Sequence, residues 1–225
     1  MTKKFRRLGL LAVMAALCGV PTLSAETLTI PELRAAAEKG SADAQYELSL
    51  CYSLGCCVKK DPAMGKKWCL AAAAKGHKAA RCVAVLEGYS PGNREKALEA
   101  LRKAAESGDA WAQFSLATYS ADRDPSETFR WLRKAAERGH AWAQIFMAMG
   151  CFGIIKGGPQ DPEQGFRWAS KAAEQGHPMG QYFLGGCYAG GQGVAPDRDK
   201  AVYWIRKAAE RGFEPAQEAM KRIKP

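Results

Sequence analysis

The chain has 225 residues, 47% of them hydrophobic and 25% charged, and carries a formal charge of +10. Lys3, Lys4, Arg6 and Arg7 open it, and all 23 acidic residues follow position 25. Beyond that point, 29 basic residues against 23 acidic ones leave about +6. This surplus invites weak attraction to acidic surfaces, and it shows none of the phosphate-tracking stripe that nucleic-acid binding would require.

Taken in chain order, the first predicted element is a secretory leader over residues 1–25. The four basic residues precede an apolar run at 8–20. Pro21 then breaks the segment, and Ser24-Ala25 offers a small-residue cut before Glu26. The run is too short for a bilayer-spanning helix, which needs about 20 residues, and no other stretch could span a membrane. Cys18 would permit a lipid-anchored variant, against which Leu17 stands where a small residue is expected. The expected location is periplasmic or secreted. About 200 residues remain, enough for one or two domains.

Next comes a half-unit over residues 30–39, which ends in Ala36-Ala37-Glu38-Lys39-Gly40. This ending returns around Gly76, Gly108, Gly139, Gly176 and Gly212, at intervals of 36, 32, 31, 37 and 36 residues. Such a ruler is the length of a helix-pair repeat. It divides the chain into units at about 41–76, 77–108, 109–139, 140–176 and 177–212, with a last helix over 213–221. Eight residues before the glycine stand Trp68, Trp131, Trp168 and Trp204, with Ala100 the exception. Ala201, Trp204, Ile205, Ala208 and Ala209 follow the i, i+3, i+4, i+7, i+8 rhythm of an amphipathic helix. The glycine supplies the left-handed residue that ends it.

After each corner a second helix is predicted. Five residues past the glycine stand Gln45, Gln113, Gln144, Gln181 and Gln217, with Arg81 the exception; eight past it stand Leu48, Ala84, Leu116, Met147, Leu184 and Met220. Asp61-Pro62, Asp124-Pro125 and Asp161-Pro162 place an N-cap before proline at the first helical position, and Glu127 is placed to complete a capping box with Asp124. Lys103–Glu106, Lys134–Glu137, Lys171–Glu174 and Lys207–Glu210 read as ion pairs on a solvated face. Loop length varies in the other connection. Residues 188–194 are rich in glycine, their counterpart at 52–58 carries Cys56 and Cys57, and repeats two and three shorten the loop to 90–93 and 120–124.

This layout resembles the Sel-1-like repeat family, relatives of tetratricopeptide repeats with longer inter-helix loops. In the fifth repeat the residues that carry the likeness are Gly180-Gln181, Leu184-Gly185, Tyr188, Gly191, Gly193-Val194, Asp197, Lys200-Ala201, Trp204 and Lys207-Ala208-Ala209-Glu210. The resemblance implies an all-α fold, an α-α superhelix of about five antiparallel helix pairs plus terminal half-repeats. It also implies a scaffold for protein complexes in bacterial envelope stress, signalling or host contact.

Stacked helix pairs bury their shared faces and line a curved inner surface with one helix of each pair. Two positions per repeat are left unclaimed by the core pattern, three and six residues past the glycine. In tetratricopeptide repeats the matching positions face the concave groove. Here they hold Asp43, Ala79, Trp111, Trp142 and Met179, and Tyr46, Cys82, Phe114, Ile145 and Tyr182. Tyr46, Trp111, Phe114, Trp142, Ile145, Met179 and Tyr182 are therefore the candidate partner-binding strip, for a protein or peptide. The alternative reading of the same rings is core packing against the neighbouring repeat.

No catalytic constellation is present: there is no Gly-x-Ser-x-Gly elbow, Ser-x-x-Lys, His-Glu-x-x-His or phosphate-binding loop. His77, His140 and His177 each follow a corner glycine, so the repeat sets them in different layers and no metal site or cofactor is expected. Seven cysteines follow the leader, an odd number. Cys69 and Cys82, level with each other across the Gly76 corner, are the candidate disulfide, although Cys69 also fits a buried free thiol. Cys51 and Cys187 read as core, and Cys56 and Cys57, in an exposed loop, as the pair to be reactive or to bridge elsewhere. The rival to a binding scaffold is a periplasmic enzyme, either a β-lactam hydrolase or a thiol-disulfide catalyst using the first repeat's cysteines. A thiol catalyst would show Cys-x-x-Cys at a helix start beside a sheet.

Overall fold

Each corner glycine closes one helix and aims the next. At Gly76 the amide donates to the Ala73 carbonyl at 3.1 Å and the His77 amide to the Ala72 carbonyl at 3.0 Å, the paired bonds of a Schellman turn. The same pair recurs at Gly40, Gly108, Gly139, Gly176 and Gly212, all with φ between +84° and +97°. Only glycine adopts that conformation without steric cost. The recurrence in sequence is therefore a recurrence of backbone geometry.

The computed structural model describes residues 29–55, 58–121 and 123–222. The leader expected at 1–25, with Cys18, and the Cys56-Cys57 pair lie outside them. Twelve α-helices and no strand occur among the described residues. In chain order they are α1 (Ile30–Glu38), α2 (Ala42–Leu54), α3 (Pro62–Ala74), α4 (Lys78–Leu86), α5 (Arg94–Glu106), α6 (Ala110–Ser120), α7 (Pro125–Glu137), α8 (Ala141–Cys151), α9 (Pro162–Glu174), α10 (Pro178–Gly190), α11 (Arg198–Glu210) and α12 (Glu214–Arg222). Every helix packs on the one before it, which makes a stack of antiparallel pairs. The helices that follow a corner form an inner row, in which α4 touches α6 and α8 touches α10. At the ends, the Ile30 amide comes within 3.5 Å of the Arg211 carbonyl, so the first helix meets the last corner.

Helix starts follow the aspartates. Asp61, Asp124, Asp161 and Asp197 accept from amides two or three residues on, at 2.9–3.0 Å. The capping box expected at Asp124 is only half made. The Glu127 carboxylate turns instead to the Trp131 indole, 3.3 Å away, and to Arg130. The reciprocal box is found at Thr29 and Glu32.

The two helix rows differ in chemistry. The inner α6 and α8 carry no charged residue at all, whereas the outer α5, α7, α9 and α11 carry charge on their outward face. A helix apolar all round belongs inside. The lysine–glutamate pairs expected on the outer helices do not form. Lys134 and Lys171 instead lie over the rings of Trp131 and Trp168, 4.5 and 4.4 Å from the centroids, and Lys207 lies over Tyr203 at 5.3 Å. The ring face attracts the ammonium and its stem covers apolar surface.

Candidate functional site

The glutamines five residues past each corner have a structural task. The Gln45, Gln113, Gln144, Gln181 and Gln217 amides donate to the carbonyls of Ala37, Ala105, Ala136, Ala173 and Ala209, at 2.9, 2.9, 3.1, 3.5 and 3.2 Å. Each bond ties the last turn of one helix to the first turn of the next and satisfies a carbonyl at the helix end. Gln45, Gln113, Gln144 and Gln181 are buried. Repeat two, with Arg81, lacks this tie.

Four of the seven residues of the expected partner-binding strip are core, and the other three keep partial exposure. Tyr46, Phe114, Trp142 and Ile145 are at most 1% exposed, and Trp111, Met179 and Tyr182 are half-buried. The reason lies in the residue just past four of the corners, whose ring plugs into the neighbouring repeat. His77 sits 4.4 Å from the Tyr46 ring and 5.7 Å from Trp111. His140 sits 4.9 Å from Phe114 and 4.4 Å from Trp111, His177 4.8 Å from Trp142, and Phe213 5.3 Å from Tyr182. Positions three and six residues past the glycine are thus the socket for the following repeat. Tyr46 reaches further, bonding its hydroxyl to Ser115 of repeat three at 2.7 Å, across the small Ala79 and Cys82 of repeat two.

Two of these histidines, His77 and His140, double as helix caps. The Ala80 amide donates to His77 Nδ1 at 3.1 Å and the Ala143 amide to His140 Nδ1 at 3.3 Å. Burial pushes both His140 and His177 down to about 3; neighbouring histidines add to the first shift and Arg211 to the second. Burial also lowers His77, partly offset by Asp43, 3.7 Å away, and by Asp109. They are neutral core residues. Among the described residues no group of three His, Cys, Asp or Glu side chains is arranged to hold a metal ion.

The inner row does keep a half-exposed stripe, one helical face further on. Leu50, Val83, Thr118, Tyr119, Phe146 and Phe183 stand seven, ten or eleven residues past their corners and are all half-buried. Leu50, Leu54, Val83, Thr118 and Tyr119 line a pocket of about 220 Å³ that spans α2, α4 and α6. The spacing +7, +10, +11 is itself helical. On α6 and α8 the absence of charge was a signal that most of their circumference, the +3 and +6 positions included, is buried.

The expected Cys69–Cys82 disulfide is absent, and both thiols are free, as are Cys151 and Cys187. The two side chains face opposite ways across α4. Cys69 lines the inner pocket and lies 3.8 Å from the Ala80 carbonyl, while Cys82 lines a cleft on the other side. Burial pushes the Cys69 thiol up to about 12 and Cys187 to about 11, and raises Cys82 and Cys151. A buried thiol with so high a pKa is no nucleophile at neutral pH.

Comparison with known proteins settles the family. The Sel1 repeat profile matches residues 42–77, 80–109, 112–140, 143–177 and 178–213. The chain belongs to the Sel1 repeat family. A Sel1 repeat protein from Oxalobacter formigenes is 31% identical, with a TM-score of 0.59, over 85% of this chain and 57% of its own. A protective antigen of uropathogenic Escherichia coli strains, c5321, which displays an SLR fold, is 28% identical with a TM-score of 0.55, over 85% of this chain and 44% of its own. The chain thus spans about half the length of these relatives. No curated protein sequence matches it. Sel1 repeats build helical-repeat scaffolds for protein–protein interaction, a role typically without catalysis. No helix among the described residues is long and apolar enough to cross a membrane.

Proposed function

We propose that this protein is an exported, non-catalytic scaffold that holds a protein or peptide along the inner face of its helical stack, in the cell envelope or outside it. The observation that carries the reading is the half-exposed apolar stripe crossing three successive inner helices at Leu50, Val83 and Tyr119. Most other apolar side chains on α2, α6 and α8 are buried, so those left half open on one shared face are available to a partner. The export half rests on the composition of residues 1–25. Family membership supports interaction over chemistry, and the raised thiol pKa values weigh against a thiol-disulfide catalyst.

Co-purification from envelope extract tests the binding face. The wild type should retain a partner that a Leu50→Ser, Tyr119→Ala double variant of unchanged melting temperature loses. An identical set of bound proteins from both would sink the inner-face assignment. Hydrolysis of nitrocefin or reduction of insulin by the purified protein would overturn the non-catalytic reading. Mass analysis of the secreted chain should give an N-terminus at Glu26.

A further inference from the structure

Repeat two lacks the tryptophan that every other complete repeat carries eight residues before its corner, and the structure shows what that omission leaves. In repeats three and four the residues at this position, Trp131 and Trp168, are 3% and 8% exposed. Ala100, their register equivalent on α5, is exposed. Around it opens a cleft of about 760 Å³ between the outer helices α3 and α5, floored by α4. On α5 the cleft is lined by Lys96, Ala97, Ala100, Leu101 and Ala104, the i−4, i−3, i+1 and i+4 neighbours of Ala100. The position of the missing side chain therefore opens into the cleft. Leu70 and Ala73 of α3 and Val85 of α4 complete an apolar wall.

The volume lies within the roughly 300–1,000 Å³ typical of ligand pockets. The rim has one sign of charge. Lys78, Arg81 and Lys96 line the cleft, no Asp or Glu does, and none of the three forms an ion pair among the described residues. The sister repeats show what such a setting accepts, since a lysine covers the indole face of Trp131 and of Trp168. Lys103, the register equivalent of those lysines, has no ring beneath it at Ala100.

We infer that this outer cleft of repeat two is a docking site for an acidic peptide segment of a partner protein that inserts a tryptophan side chain where the repeat's own tryptophan is missing. The occupant is not a second copy of the chain, whose surplus positive charge would meet the basic rim, nor the leader, whose polar residues before the apolar run include four cations. The apolar wall selects the ring, and the three cations select the flanking carboxylates. This site goes beyond the inner-face reading and stands on different helices.

The test uses the full chain and a fluorescein-labelled Asp-Asp-Trp-Asp-Asp peptide, with Trp→Ala and Asp→Lys versions as controls, followed by fluorescence anisotropy. The wild type should bind the acidic tryptophan peptide at least tenfold more tightly than either control. Ala100→Trp should fill the cleft with the residue used by the other repeats, preserve the helical circular dichroism, and weaken binding at least tenfold. Lys78→Gln with Lys96→Gln, which leaves the apolar wall intact, should weaken it several-fold and flatten its dependence on salt. Leu50→Ser with Tyr119→Ala should leave it unchanged, which separates this site from the inner face. Absence of binding by the wild type at millimolar peptide, equal binding of the alanine peptide, or full affinity in a folded Ala100→Trp variant would each overturn the inference. Equal affinity for N-acetyl-tryptophan alone would overturn the peptide as occupant.

Discussion

Repeats two and four are built on one ruler yet solve packing in opposite ways. Repeat four puts Trp142 and Ile145 into the socket behind the His177 ring and folds Trp168 over its outer side, so both faces close. Repeat two has Ala79 and Cys82 in the socket and Ala100 outside. On its inner side the gap is filled from elsewhere, because Tyr46 of repeat one crosses to Ser115 of repeat three. On its outer side no described residue fills it, and a cleft remains. The difference teaches that a solenoid repeat can drop large side chains without losing its corner. The corner depends on glycine geometry and small alanines, and the large residues decide only whether the faces around it are shut.

The sharpest way to break this contrast is to empty the packed repeat. Trp142→Ala removes a side chain that is 0% exposed and should cost about 3–5 kcal/mol in urea denaturation, as large-to-small changes in a rigid core do. Ala79→Gly, the register equivalent in repeat two, should cost only about 1 kcal/mol, the helix-propensity difference. Equal losses would mean that repeat two is as tightly packed as repeat four.

Acid tests the same contrast through the histidines. The folded pKa values of His140 and His177, about 3, lie below the unfolded value near 6.5. Stability is therefore intact above pH 6.5. It falls as the pH drops toward 3, because the unfolded chain takes up protons that the folded chain refuses. By pH 5 each buried imidazole should cost on the order of 2 kcal/mol. A His140→Asn variant, which keeps a capping oxygen, should show a visibly shallower loss between pH 7 and pH 5. Identical pH slopes for variant and wild type would show that His140 is not buried as a neutral group.

Much of the fold was legible in the residues because the corner chemistry is local. A glycine with φ near +90°, two alanines before it and an Asp-Pro start are each forced by backbone sterics or unsatisfied amides at that point of the chain. The strip was illegible for the converse reason. Whether Phe114 faces solvent or the His140 ring depends on the curvature of the stack, a sum of small rotations that no single repeat records. Charge would have helped, since α8 has none anywhere on its circumference. The cysteines failed in the same way. Cys69 and Cys82 are level across the corner, but they point to opposite sides of α4.

Smaller effects belong to the glutamine ties. Gln113→Ala removes the bond to the Ala105 carbonyl, which still accepts from the Gly108 amide at 3.1 Å. The loss should be about 1 kcal/mol, the net value of one neutral hydrogen bond.

The last test adds to repeat two what its siblings have. Arg81 stands where the other corners place glutamine, and its exposed side chain leaves the Ala73 carbonyl without a side-chain donor. Arg81→Gln puts an amide at the same eight-residue reach that works in the other five corners, and it should raise stability by about 0.5 kcal/mol or less, since the new bond replaces one to water. The substitution also removes one of three cations from the rim of the outer cleft. Arg81→Gln should therefore melt slightly higher than the wild type while binding the acidic tryptophan peptide more weakly. Tighter peptide binding by Arg81→Gln would show that Arg81 does not serve the rim. Movement in opposite directions would mark repeat two as a site where packing has been given up for an open surface.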